Sequence, residues 1–309
     1  MNRFRVWMLC IFTAALLAFA AAASAEETTI VASGTCGKSD NGSLSDNLTW
    51  TLDSDGLLTI SGEGEMYGTP DDTSVPWSSY KDQIKSVKIE EGVASIVGHA
   101  FQGCEGLTQI ELPSKMTSIG EAVFGGTGLT QIKIPEGITS IGAYMFEGCA
   151  DLKQIDLPEG ITSIGEAAFT GCSGLTQIDL PEGITNIDIW AFMGCSSLTQ
   201  ITLPAGVTNI SDEMFLNCTS LTQIDFPAGL TSIGSCAFEG CTSLKQIELP
   251  ETVTSIGGAA FINCTGLTQI KLPAGLKNIG DRTFEGCTSL TQIELPEGVT
   301  SIDDWTFNG

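Results

Sequence analysis

From Leu107 onward, apolar and polar residues follow one fixed schedule. In the stretch Leu175 to Ser197, LTQIDLPEGITNIDIWAFMGCSS, the apolar residues Leu175, Ile178 and Leu180 alternate with polar ones, Ile184 and Ile187 follow, and Phe192 closes the unit. The same phenylalanine recurs at Phe101, Phe124, Phe146, Phe169, Phe215, Phe238, Phe261, Phe284 and Phe307, with steps of 23 residues except 22 from Phe124 to Phe146. A short fixed period means a unit that buries its apolar face only by stacking on copies of itself. It predicts a solenoid. Within each coil, L-x-x-I-x-L predicts a short strand with alternate residues inward, and stacked strands form one parallel sheet about 4.8 Å apart. Pro181 ends the strand at no cost in ladder hydrogen bonds, and Gly183 supplies the turn. Ile184 and Ile187 point back into the core. The stretch before Phe192 is too short for a long helix, so one turn of helix or 3-10 is expected there.

The segment before the coils has a different rhythm. Leu48, Trp50 and Leu52 alternate with polar residues, as do Leu58 and Ile60, around Asp53-Ser54-Asp55-Gly56. Period two about such a turn predicts a β-hairpin with one buried face. Asp53 and Asp55 do not fit a calcium loop, because the glycine comes too early and no glutamate follows at the required spacing. With Trp77, this module is expected to cover the open apolar end of the first coil. At the very start, Arg3 and Arg5, an apolar run to Ala23 and the small residues Ala23-Ser24-Ala25 predict a secretory signal peptide. The expected organisation is a signal peptide over 1–25, a β cap module over 26–83, and about ten coils over 84–309.

Charge and cysteines narrow the function. A net charge of −24 repels nucleic acid and anionic membranes. Eight cysteines share one position of the repeat: Cys104, Cys149, Cys172, Cys195, Cys218, Cys241, Cys264 and Cys287. Equivalent thiols on stacked coils point in parallel, which suits the disulfide dihedral poorly, so a buried ladder of free thiols is expected. The short repeat, at Gly125-Gly126-Thr127-Gly128, reads as lacking both a residue and this cysteine. Cys36, placed in an N-terminal loop, and Cys236, outside the ladder, are the candidates for reactivity.

The pattern L-x-x-I-x-L-P-x-x-[IV]-x-x-I-G-x-x-A-F-x-G-C resembles the BspA-like class of leucine-rich repeat of bacterial surface proteins. The segment from Thr35-Cys36-Gly37 through Leu48-Thr49-Trp50 to Val75-Pro76-Trp77 resembles the leader module that precedes such repeats. The resemblance implies an α/β repeat fold: a curved leucine-rich-repeat solenoid with a parallel concave β-sheet, short helical or 3-10 turns opposite, and an N-terminal β-hairpin cap. It implies adhesion to host or neighbouring-cell components, no catalytic residues and no cofactor.

Two outward columns on the strands are the candidate binding surface. One is almost all glutamine and includes Gln154, Gln177, Gln200 and Gln223. Stacked amides one strand apart have a structural use too, hydrogen-bonding along the ladder. The other column includes Asp156, Asp179, Thr202, Asp225 and Glu248, an acidic centre suited to a basic or calcium-bridged ligand. Asp156 and Asp179 are spaced like a retaining-glycosidase pair, but a shallow sheet offers no pocket to tune one acid, so no enzyme is expected. The alternative site is the variable column two residues before each phenylalanine, where Tyr144 and Trp190 stand out; packing over small neighbours such as Ala167 is the competing role. The sequons at Asn209, Asn217 and Asn263 follow from repeat composition. The resulting expectation is an exported protein that binds an extracellular protein or glycan, the alternative being an envelope spacer with no specific ligand. Weak self-association through an open C-terminal coil is also expected.

Overall fold

The computed structural model describes residues 28–68 and 75–309. The expected signal peptide lies outside the described residues. The first strands are β1 (Ile30–Lys38), β2 (Leu44–Asp53) and β3 (Leu57–Gly62). β2 and β3 form the hairpin, with Trp50 opposite Ile60 and Leu52 opposite Leu58. Asp53 closes its turn, its Oδ1 accepting from the backbone N–H of Asp55 at 3.0 Å and of Leu57 at 2.8 Å. β1 pairs antiparallel with β2 at the outer edge. Cys36 therefore sits in a strand, not a loop, and is 1% exposed. Burial pushes its thiol up to about 12, which withdraws it as a reactive candidate.

β3 runs parallel to β4 (Ser86–Ile89), and β4 to the strand Gln109–Glu111, so one five-stranded sheet carries the hairpin into the coils. Trp77 completes the junction. Its ring stacks on Phe101 at 5.8 Å, and its Nε1–H donates to the Ala100 carbonyl at 2.8 Å. In the coils the same carbonyl position receives the backbone N–H of the preceding phenylalanine, as in Phe101 N–H to Val123 O at 3.0 Å. One tryptophan thus supplies both the ring and the donor of a missing coil.

Ten phenylalanines bound nine intervals, and the described chain winds about nine turns rather than ten. The rings from Phe101 to Phe307 form one continuous stack with centroids 5.3–6.1 Å apart. Offset aromatic stacking favours this spacing, and burying each ring from Phe101 to Phe284 stabilises by about 1.5–3 kcal/mol, the last ring, Phe307, remaining exposed.

The expected helical turns do not form. Among the described residues the only helical segment is the six-residue 3-10 element Ser78–Gln83. Opposite the strand face runs a second, two-residue ladder, with Ser163–Ile164 paired to Ser140–Ile141 on one side and Asn186–Ile187 on the other. The following turn then places His99, Ala122, Tyr144, Ala167, Trp190, Glu213, Cys236, Ala259, Arg282 and Trp305 at φ between 51° and 60°. This left-handed kink costs a non-glycine residue roughly 1–2 kcal/mol. It turns backbone donors out of the coil and onto the next one: Trp190 N–H reaches Asp212 O at 3.3 Å, Phe192 N–H reaches Met214 O at 3.0 Å, and Gly194 N–H reaches Leu216 O at 2.7 Å. A helix would spend these donors within its own coil. Asn217 and Asn263 take the glycine position two residues after phenylalanine, at φ 59° and 58°, and asparagine tolerates that region best after glycine. Backbone conformation thus accounts for two of the sequons.

Candidate functional site

The strand face does not carry one unbroken sheet. Ladder pairing joins Gln131–Lys133 to Gln154–Asp156, Gln200–Thr202 to Gln223–Asp225, and Gln246–Glu248 to Gln269–Lys271. It is absent between Gln109–Glu111 and Gln131–Lys133, and residues 177–179 form no strand. The closed steps set Lys133 beside Asp156, Thr202 beside Asp225 and Glu248 beside Lys271. Two of the open ones put carboxylate against carboxylate, Asp156 before Asp179 and Asp225 before Glu248, and like charges at cross-strand positions oppose pairing.

All four glutamines singled out above, Gln154, Gln177, Gln200 and Gln223, are exposed, as are Asp179, Thr202, Asp225 and Glu248; Asp156 is half-exposed. The amides do not hydrogen-bond to one another. Gln223 Nε2 donates instead to Asp225 Oδ1 at 3.1 Å, and Thr202 Oγ1 donates to Asp225 Oδ2 at 3.2 Å. The structural use expected for the glutamine column is therefore not realised. Neighbouring threonines behave differently: Thr199 and Thr222 donate their hydroxyls to the backbone one coil back, at 3.2 and 3.0 Å. Asp156 is 3.9 Å from Lys133 Nζ, and Glu248 is 2.9 Å from Lys271 Nζ. Asp179 and Asp225 have no ion pair among the described residues.

Among the described residues, grooves on this face include the following three. The first, of about 740 Å³, lies between Thr268–Leu272 and Thr291–Pro296. The second, of about 250 Å³, is lined by Gln177, Asp179, Glu182, Gln200, Thr202 and Asp225, among others. The third, of about 550 Å³, runs from Leu57 across Val87 and Ile110 to Asp156. The candidate residues of the acidic centre are thus split. Asp179, Thr202 and Asp225 share a groove, Asp156 lines another, and Glu248 is held by a lysine. Among the described residues no three His, Cys, Asp or Glu side chains form a set that fits a metal ion.

On the turn side the chemistry is internal. Each ladder thiol from Cys149 to Cys287 donates to the phenylalanine carbonyl of the preceding coil, as Cys195 Sγ does to Phe169 O at 3.2 Å. Burial raises these thiols well above their ordinary value, Cys195 among them. The short repeat keeps this position. Thr127 lies three residues after Phe124, as Cys149 does after Phe146, and its Oγ1 donates to Phe124 O at 2.8 Å. The missing residue falls later, between Thr127 and Leu129. Counting from phenylalanine rather than looking for cysteine places it correctly. Cys236 is half-buried, and burial together with Glu239 pushes its thiol up to about 11, so it is accessible but a poor nucleophile at neutral pH.

The aromatic column is partly used inside the molecule. The Tyr144 hydroxyl donates to Glu166 Oε1, which brings its ring towards the next coil, where Ala167 is only 3% exposed. Trp190 is half-buried, and its carbonyl accepts from Thr170 Oγ1 at 2.7 Å.

Comparison with known proteins agrees with this architecture. The structure of the pneumococcal vaccine antigen PcpA is 17% identical, with 87% of this chain and 78% of that one covered and a TM-score of 0.51. A leucine-rich repeat protein from Eubacterium ventriosum is 24% identical over 90% of this chain and 95% of its own, with a TM-score of 0.49. A leucine-rich cell surface protein from Faecalibacterium prausnitzii is 24% identical over 86% and 85%, with a TM-score of 0.47. No curated protein matches the chain. Leucine-rich repeat proteins are generally binding or scaffold proteins rather than enzymes. The BspA type leucine-rich repeat region, in six copies, matches residues 78–199, 117–242 and 208–309, and the chain belongs to that family.

Proposed function

We propose that this is an exported binding protein whose strand face is concave and captures a basic segment of an extracellular protein or glycan at its acidic centre. The observation that carries it is the groove of about 250 Å³ lined by Gln177, Asp179, Glu182, Gln200, Thr202 and Asp225. Three exposed carboxylates there, Asp179, Glu182 and Asp225, lack a cation, and the amides beside them are free of partners on the protein, except for that of Gln223. A rigid repeat presents these groups with little conformational entropy left to lose on binding. Export rests on the basic head, apolar run and Ala-Ser-Ala site at the N-terminus. The hairpin over 26–83 serves as the cap, a role supported by the Trp77 contacts. A calcium-bridged ligand fits the same carboxylates only weakly, at roughly millimolar ion.

The test is capture of a lysine-rich peptide by the mature protein with rising salt. Binding is expected to weaken as salt shortens the screening length, which is about 10 Å at 0.1 M. Replacing Asp179 and Asp225 together by lysine removes it while leaving the circular dichroism spectrum unchanged, since both side chains face solvent. Full binding by that double variant overturns the assignment of the face, and loss on Trp190→Ala instead transfers the site to the turn column.

A further inference from the structure

The short repeat has a consequence for the strand face. On the turn side the coils before and after it are in ordinary register, with Phe101 N–H to Val123 O at 3.0 Å and Gly103 N–H to Gly125 O at 2.8 Å. Between Thr127 and Leu129 the connection back to the strand is one residue short. The next strand, Gln131–Lys133, pairs normally forward with Gln154–Asp156, and Gln109–Glu111 pairs normally back with β4. Between the two, ladder pairing is missing. Ile110 is half-buried here, as its counterparts Ile224 and Ile293 are elsewhere, while Ile132, Ile155 and Ile178 are buried.

The groove of about 550 Å³ lies over this break, with Leu57, Val87, Ile110 and Ile132 as its apolar floor. Its rim carries both signs of charge: Lys88, Glu111, Lys133 and Asp156. Gln109, Gln131 and Gln154 add amides along the same edge. The central groove also has apolar residues beneath it, Ile178, Leu180 and Ile201, but its charged residues, Asp179, Glu182 and Asp225, are all acidic.

We infer that the one-residue deletion creates a second binding site at this break, for an extended peptide segment in which apolar residues alternate with lysine and glutamate. The rim selects the occupant. A ligand of one sign would meet as many like charges as opposite ones, whereas a segment of alternating sign pairs with each in turn. The amides can take its backbone N–H and C=O groups, and the floor takes the apolar side chain between the charges, the division of labour of strand recognition. The site is independent of the proposed basic partner and uses different residues, Asp156 apart.

The probe is a capped, fluorescent peptide that twice repeats lysine, valine, glutamate, valine, titrated against the full chain by anisotropy. Saturable binding at one site is expected. Ile110→Lys places a charge on the apolar floor and should weaken binding by about tenfold or more. One alanine inserted after Thr127 restores the standard repeat length, closes the ladder and should abolish binding; its melting curve, equal to or above that of the parent, shows that the fold is kept. The Asp179→Lys, Asp225→Lys pair should bind this peptide unchanged, so failure of the central site and failure of this one are separable. No saturable binding to the parent chain, or equal binding by the inserted variant, overturns the inference.

Discussion

The two sides of each coil are built to different rules. On the turn side every step repeats: phenylalanine on phenylalanine, thiol or hydroxyl onto a phenylalanine carbonyl, and three backbone donors handed to the next coil. On the strand side some steps are laddered and others are open. The turn side lies around a buried stack and tolerates little change. The strand side presents side chains to solvent, and its hydrogen bonds depend on their charges. Cohesion and display are thereby placed on opposite edges of the same unit, so the outer strand residues are free to vary without loosening the stack.

The sharpest way to break this comparison is to remove one ring. Phe192 is fully buried, with Phe169 at 5.4 Å and Phe215 at 5.7 Å on either side. Phe192→Ala should cost about 3–5 kcal/mol through lost burial and the cavity left behind. Denaturant unfolding followed by circular dichroism measures it. Gln200→Ala, on the exposed strand face of the following coil, should shift stability by no more than about 0.5 kcal/mol. Equal costs for the two would dissolve the distinction between the sides.

Much of the turn side was legible because its residues are determined by burial. The phenylalanine period, the cysteine position and the hairpin at Asp53–Gly56 all follow from apolar spacing and turn chemistry. The left-handed column was not. Ala, Tyr, Glu, Trp and Arg at that position carry no preference for positive φ, and the conformation is imposed by hydrogen bonds to the next coil. β1 was hidden for another reason. Gly34 leaves room for the Trp50 indole, where a Cβ would lie 2.9 Å from Nε1, so the strand shows glycines where alternation would show apolar residues. The candidate site was legible as columns of residue types. Its division into three grooves was not, because the breaks depend on neighbours distant in sequence and on a missing residue.

A smaller effect tests what the ladder thiols do. Phe169 O accepts from both Cys172 N–H, at 3.1 Å, and Cys195 Sγ. Cys195→Val keeps an apolar side chain of similar size but removes one of two donors, and should cost about 0.5–1.5 kcal/mol. Cys195→Thr restores a donor, though Thr127 turns its hydroxyl to the phenylalanine carbonyl of its own coil, so it should recover only part of that loss in the same unfolding measurement. Valine and threonine behaving alike would mean that the thiol serves only to fill space.

The smallest effect concerns the outward column of the turn side, which shares the strand face's freedom although it sits on the cohesive edge. The Tyr144 hydroxyl donates to Glu166, and that bond, with Glu147 and Glu121 nearby, holds the phenol up at about 12. An unfolded tyrosine ionises near 10, so the contact stabilises fully below about pH 10 and is lost as pH rises towards 12. A spectrophotometric titration of the phenolate, differenced against Tyr144→Phe, should show the raised value. Glu166→Gln should lower it, because the charge that opposes ionisation is gone. At neutral pH Tyr144→Phe should change stability by no more than about 0.5 kcal/mol, as for other surface positions. A loss approaching that of Phe192→Ala would show that the boundary between cohesion and display runs along the edges of the coil. A negligible loss places it between the buried stack and everything that faces outward from it.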